Sequence, residues 1–207
     1  MRTYLFDASA AVQFYLPDSE KIKKTLKYLR EQKEPRGQAV IFIPNFCIAE
    51  VFNAFARKLQ EKKTTAEGYT KCLDAFRGDI HWGRFLYPYE LNRYHIIAAD
   101  RIIPVEHRLA SIDDRDHLST FDILVIAMAC ELAFVGRRED TFLLTKDRRM
   151  KRVFDELKVF DPSALMIPGP LGKVEKTRWI PPNCLYLPDT SSEHLESVLT
   201  RKPPAKS

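Results

Sequence analysis

No CxxC pair joins the four cysteines, Cys47, Cys72, Cys130 and Cys184. Their wide spacing excludes a zinc ribbon. No HxxxH spacing occurs among the five histidines, which excludes a zincin site. No apolar run reaches the roughly 20 residues that span a bilayer. The opening Met1-Arg2-Thr3-Tyr4-Leu5-Phe6-Asp7 meets an acid too early for a signal peptide. These absences point to a soluble, cytoplasmic protein with no membrane partner. Internal repeats are missing as well. Excess charge of one sign is slight: 33 basic against 28 acidic residues leave +5. That balance tolerates a polyanionic partner without demanding one.

What is present is apolar and patterned. A chain of 207 residues with 45% hydrophobic side chains and 13 Phe can fill the core of one domain and still carry an added arm. Cys47 and Cys130 sit in apolar helical stretches, where a reduced thiol behaves as a small hydrophobe. Short apolar runs predict strands at Thr3–Phe6, Val40–Ile43, Phe85–Tyr87 and Thr141–Thr145. Helical patterns separate them at about Ala8–Leu16, Ser19–Gln32, Asn45–Lys63, Ala66–Arg77, Leu91–Ile103, Thr120–Phe134 and Arg148–Leu157. Thr64-Thr65-Ala66-Glu67 has the form of a capping box. Strands that alternate with helices predict a three-layer α/β/α fold around a central parallel sheet. The site of such a sheet lies beyond the carboxyl ends of its strands.

Composition changes at Asp161. Eight of the 13 prolines follow it, and pairs such as Pro181-Pro182 break regular structure. We therefore expect a core domain over 1–162 and a proline-rich C-terminal extension over 163–207, partly ordered around Lys173–Leu187. Apolar residues of the extension, Trp179, Ile180, Leu185, Tyr186 and Leu187, are expected to cover a helix. Thr190 to Ser207 reads as a polar end.

Four acids carry the chemistry, and each has an ordinary explanation. Asp7 ends the first strand and suits an N-cap. Asp122 follows Ser119 in a Ser-x-x-Asp capping pattern. Asp147 opens the last core helix after Thr145. Glu50 shares a polar helix face with Asn53 and Arg57, opposite the stripe Ile48, Val51, Phe52, Phe55 and Leu59. As a set they say more. Three lie where a strand ends or a helix begins, and Glu50 lies in the helix after a strand, so a parallel sheet brings them to one edge. Clustered carboxylates repel one another, and a divalent cation relieves that repulsion. Oxygen-only ligands select Mg²⁺ or Mn²⁺ over zinc. On a phosphodiester, such metals support in-line attack by an activated water.

The residues around these acids resemble a family. Tyr4-Leu5-Phe6-Asp7-Ala8-Ser9 is similar to the opening motif of PIN-domain proteins. Ile48-Ala49-Glu50-Val51-Phe52-Asn53 resembles their Ala-Glu-Val-x-Asn helix. Leu118-Ser119-Thr120-Phe121-Asp122-Ile123 and the apolar helix after it resemble the third motif, although the family usually has Ala where Ile123 stands. Leu143-Leu144-Thr145-Lys146-Asp147 is similar to the fourth. The resemblance covers roughly residues 1–162 and implies a metal-dependent endoribonuclease of the VapC type acting on single-stranded RNA. It carries over Asp7, Glu50, Asp122 and Asp147 as catalytic metal-site acids, with Ser9, Asn53 and Thr145 in support. It also implies a small antitoxin partner and a homodimer. Compared with the compact toxins, extra residues fall around Glu31–Gln38 and Arg77–Arg84.

Basic residues crowd the fourth acid. Cations in the first turn of a helix oppose its dipole, so Lys146, Arg148, Arg149 and Arg152 are expected to meet RNA phosphates. Trp82 and Tyr87 are candidates to stack on bases. Three other readings compete, the first being a PIN nuclease that is not a toxin, which the extra residues and the extension favour. A haloacid-dehalogenase-like phosphatase also places Asp after its first strand, but it needs a second Asp where Ser9 stands. A PIN scaffold that binds RNA without cutting would be signalled by a lost acid, and none is missing.

Overall fold

The computed structural model describes residues 2–33, 39–110, 117–136, 138–159, 166–168, 176–178 and 181–191. Five parallel strands form the main sheet, in the order β3-β2-β1-β4-β7. They are β1 (Arg2–Phe6), β2 (Ala39–Pro44), β3 (Leu86–Tyr89), β4 (Thr141–Thr145) and β7 (Asn183–Tyr186). The helices are α1 (Ala8–Tyr15), α2 (Glu20–Lys33), α3 (Cys47–Gln60), α4 (Ala66–Trp82), α5 (Arg93–Leu109), α6 (Thr120–Val135) and α7 (Arg148–Val159). Strands β5 (Met166–Pro168) and β6 (Lys176–Arg178) pair antiparallel apart from the main sheet. This is the expected three-layer architecture. Helices α1, α3 and α4 pack together as one group, and α5, α6 and α7 as another.

The central strands explain themselves chemically. β1 and β4 are flanked by strands on both sides, and Leu5, Phe6, Phe142, Leu143 and Leu144 lie at 1% exposure or less. Such strands need apolar side chains on both faces. Helix α6 is apolar all round for the same reason, with Ile123 to Cys130 buried without interruption. All four cysteines are free thiols, and Cys47 and Cys130 are buried as small hydrophobes. Among the described residues, no helix is long and apolar enough to cross a membrane.

Three elements differ from their sequence patterns. Helix α4 passes Arg77 and stops at Gly83, whose left-handed φ of 58° suits glycine. Its N-cap is Thr65, accepting from the Gly68 N–H at 3.1 Å, rather than Thr64. Helix α5 does not end before Pro104 but continues to Leu109. Burial of Val105 and Glu106 holds that last turn, outweighing the hydrogen bond that proline deletes.

The third difference concerns the extension. Asn183–Tyr186, within the stretch expected to lie outside the core, forms β7 against β4, with Phe142 opposite Asn183 and Thr145 opposite Tyr186. An edge position tolerates the proline-rich approach to this strand, which a central position would not. Leu185 and Leu187 are buried in the same hydrophobic cluster as β1 and β4. Thr190 is buried too, and its carbonyl accepts from the Thr25 hydroxyl at 3.3 Å. Trp179, Ile180 and residues 192–207 lie outside the described residues.

A candidate metal centre beside a cation-walled cleft

The parallel sheet delivers the acids to one edge. Asp7 follows the last residue of β1 and caps α1, accepting from the Ala10 N–H at 2.7 Å. Its backbone N–H still bonds the Leu144 carbonyl of β4 at 3.2 Å. The carboxylate is 5% exposed and takes two hydroxyl donors. Thr145 Oγ1 donates to Oδ2 at 2.6 Å, and Ser9 Oγ lies 2.8 and 2.9 Å from the two oxygens. Burial, helped by the charge of Asp122, pushes the Asp7 pKa up to about 7 against the lowering pull of those hydrogen bonds.

Glu50 stands exposed in the first turn of α3. Partial burial and the charge of Asp122 raise its pKa, while Arg57 pulls it down. Asp122 closes the capping box of α6: its Oδ2 accepts from the Ser119 N–H at 3.0 Å and the Ser119 hydroxyl at 2.7 Å. The cap explains the conformation of Asp122 without using up the charge that Asp7 and Glu50 both feel. The structure therefore brings Asp7, Glu50 and Asp122 into one electrostatic neighbourhood.

Asp147 is differently engaged. It caps α7, its Oδ1 accepting from the Arg149 N–H at 2.8 Å. The Arg149 guanidinium grips both oxygens, at 3.2 Å from Nε and 2.7 Å from Nη2. Burial alone would raise its pKa, but the Arg149 bonds outweigh that and hold it below the ordinary value. Its backbone N–H bonds Thr145 Oγ1 at 2.8 Å, so one hydroxyl orients both Asp7 and Asp147. Arg149→Ala is expected to cost about 1 kcal/mol at pH 7, the upper end for a partly exposed pair, reached here through its bidentate geometry. Because the folded pKa is depressed, the fork's contribution is present above the unfolded carboxylate value and lost as pH falls through the folded one. Urea melts of both proteins at pH 7 and pH 3 should show the deficit shrinking in acid.

A cleft of about 530 Å³ opens beside the acids, lined by Ser9 and Asn53, by the cations Arg57, Lys58, Lys63 and Lys146 and by the acids Asp18, Glu50 and Glu61 among others. Asp18 bridges its walls. One oxygen pairs with Lys58 of α3 and the other with Lys146 after β4, and Gln13 Nε2 donates to it at 2.7 Å. Although its partial burial opposes ionisation, these partners hold the Asp18 pKa down to about 2. Sequence reading missed Asp18, Gln13 and Lys58; the contacts of Asp18 with Lys58 and Lys146 depend on the assembled fold.

The expected basic group is divided by the fold. Lys146 faces the cleft, while Arg148 is exposed on α7. Arg149 bonds Asp147 and the His117 carbonyl, and Arg152 Nη2 donates to the Leu109 carbonyl at 3.2 Å. The unfavourable cation in the first turn of α7 thus finds its counter-charge at the N-cap of the same helix. Trp82 is 69% exposed but stands where α4 leads into β3. That is the amino edge of a parallel sheet, opposite the acids.

Among the described residues, the trio whose metal-ligating atoms lie within 4.8 Å of one another is Glu106, His107 and His117, and not three of the four acids. The wider spread of the acids still suits Mg²⁺, which keeps several of its waters and is held by one or two carboxylates. Their all-oxygen donor set fits the same ion.

No family model matches this chain, and no curated protein matches it. Among solved structures it is similar to a chain of the crystal structure of VapBC2 from Rickettsia felis bound to a DNA fragment from their promoter. That similarity has 16% identity and a TM-score of 0.46, and it covers 73% of this chain and 92% of the other.

Proposed function

We propose that this protein is a PIN-like endoribonuclease that hydrolyses phosphodiester bonds of single-stranded RNA with Mg²⁺ or Mn²⁺, as the toxin of a toxin–antitoxin pair. The observation that carries the nuclease reading is Asp7: a buried carboxylate raised to about 7, feeling the charge of Asp122, beside an open cleft where Arg57, Lys58, Lys63 and Lys146 stand among Asp18, Glu50 and Glu61. The toxin, its antitoxin partner and a homodimer rest on the resemblance of the four motifs. Asp7, Glu50 and Asp122 would hold the cation, which supplies an activated water and charge stabilisation at the leaving oxygen. Ser9 and Thr145 keep the Asp7 oxygens oriented. Asp147 fixes Arg149 and, through it, the strand-to-helix turn. Lys58 and Lys146 exchange Asp18 for an RNA phosphate. Purified protein should cut single-stranded RNA with Mg²⁺ or Mn²⁺ and stop in EDTA. Cleavage that persists in EDTA would reject this reading.

One observation favours a second reading, RNA binding without cleavage: the Asp147 oxygens are committed to Arg149. In that case RNA would bind and remain intact at every divalent ion tried.

The cleft wall makes its own prediction. On an Asp7→Asn background, Lys58→Gln with Lys146→Gln should lower the salt slope of RNA binding by about 1.4, since each neutralised phosphate on a single strand contributes about 0.7. Affinity should fall evenly across RNA sequences, because phosphate contacts carry no base information. Arg148→Gln, which removes an exposed charge on α7, should change the slope less. Equal slopes in wild type and the double lysine variant would remove these residues from the RNA path.

A further inference from the structure

We propose that Glu106, His107 and His117 form a second metal site, separate from the acids at the sheet edge and suited to Zn²⁺ or a similar transition-metal ion. Glu106 lies in the last turn of α5 and is 2% exposed. Its Oε1 accepts the Leu118 N–H at 2.9 Å and lies 3.1 Å from His117 Nδ1. Its Oε2 lies 3.8 Å from His107 Nε2, and the two imidazole centroids are 5.0 Å apart. Tetrahedral zinc with bonds of about 2.0–2.1 Å sets its donor atoms roughly 3.3 Å apart. The three donor atoms here lie within 4.8 Å of one another, so the exposed His107 ring needs only a small swing to close the set.

The donor types decide which ion fits. Two imidazoles and one carboxylate suit zinc and its neighbours, whereas Mg²⁺ prefers oxygen alone. The three donors found among the described residues leave a fourth position that water can take. The competing explanation is a buried acid satisfied by Leu118 and His117, which accounts for His117 but not for His107 beside it. Placement gives the site a consequence. The chain runs from His117 through Ser119 into α6 and Asp122, and the His117 carbonyl accepts from Arg149 Nη1 at 3.0 Å. A metal on His117 therefore tethers the segment that sets Asp122 and the arginine that grips Asp147.

The test uses the full chain, stripped of metal, titrated with Zn²⁺ by calorimetry and with Co²⁺ by visible absorption. On an Asp7→Asn background, where the carboxylate site is weakened, one ion per chain should bind through nitrogen and oxygen, with no thiolate charge-transfer band from the free cysteines. His107→Ala and His117→Ala should each weaken binding by more than about 100-fold, since even outer-shell changes at metal sites cost roughly 10–100-fold. His107 is exposed, so its variant keeps the fold and gives the clean comparison; Glu106→Gln would disturb the buried Leu118 bond. Asp7→Asn should bind Zn²⁺ as tightly as wild type, so the outcome is independent of the nuclease reading. Equal Zn²⁺ affinity in wild type and His107→Ala, no binding by wild type, or a thiolate band would overturn the proposal.

Discussion

Asp7→Asn should abolish metal-dependent RNA cleavage and, in the absence of metal, make the protein more stable near pH 8. The two effects have one origin. In the unfolded chain this carboxyl titrates near its ordinary value of 3.8; in the folded protein burial and Asp122 move it to about 7. With the folded pKa raised, the stability contributed by Asp7 is complete below the unfolded value and lost as pH rises through about 7. At about 1.36 kcal/mol per pKa unit, the full penalty above that pH is on the order of 4 kcal/mol at most. Asparagine has no charge to bury and keeps an oxygen for the Ala10 N–H, so it should recover part of that energy.

A bound cation reverses the ranking. It relieves the repulsion in wild type and adds stability by mass action, about 2.7 kcal/mol at 100 times its dissociation constant. The variant, short of one ligand, should gain little. Loss of an interaction that stabilises developing charge by several kcal/mol corresponds to a rate drop of about 10³-fold or more. Thermal melts at pH 5 and pH 8, with EDTA and with Mn²⁺, read stability, and a labelled single-stranded RNA reads cleavage. A variant less stable than wild type in EDTA at pH 8, or one that gains as much from Mn²⁺, would show that Asp7 is a structural cap and not a metal ligand.

The elements legible in the sequence are those whose local pattern and tertiary fate agree. β1, β4 and α6 read as apolar runs, and Tyr4 to Phe6, Thr141 to Thr145 and Ile123 to Cys130 are buried, so nothing competes with the pattern there. Asp7 and Asp122 read as caps and as site candidates together, because a helix start at the carboxyl edge of a parallel sheet is the same place for both; the structure shows both cap roles. Less was legible where distant partners decide. Pro104 reads as a stop, and only the packing of Val105 and the reach of Glu106 to Leu118 keep α5 going. The tie of Asp18 to Lys58 and Lys146 spans 40 and 128 residues and has no local signal. Arg149 reads as a phosphate ligand by charge, yet its fork closes on Asp147 two residues away. β7 was hidden by the prolines around it, since a four-residue edge strand gives too short a pattern to stand out.

Truncation after Pro162 should destroy the fold rather than trim it. That cut removes β7, and with it the whole row of parallel ladder bonds along the β4 edge. It also strips Leu185 and Leu187 from the core, where they are 6% and 0% exposed. Deleting one buried leucine side chain costs about 2–5 kcal/mol, and a domain has only about 5–15 kcal/mol in total. The losses from two leucines and an edge strand therefore match or exceed the reserve. The segment after β7 adds bonds of its own: Lys21 Nζ donates to the Pro188 carbonyl at 2.7 Å, and the Thr190 hydroxyl donates to Tyr186 at 2.8 Å. A cut before Thr190 should consequently be costly as well, whereas a stop after Ser191 should keep a cooperative melt. The damage reaches the candidate site through one residue. The Leu187 N–H bonds the Thr145 carbonyl at 2.9 Å, and the Thr145 hydroxyl holds Asp7. Leu187→Ala, milder than truncation, should lower Tm by roughly 5–15 °C and weaken the Mn²⁺-induced stabilisation as Thr145 loosens. Circular dichroism melts of fragments 1–162 and 1–191 beside Leu187→Ala provide the measurement. If 1–162 melts cooperatively within a few degrees of the full chain, β7 is dispensable and the domain does end near Pro162.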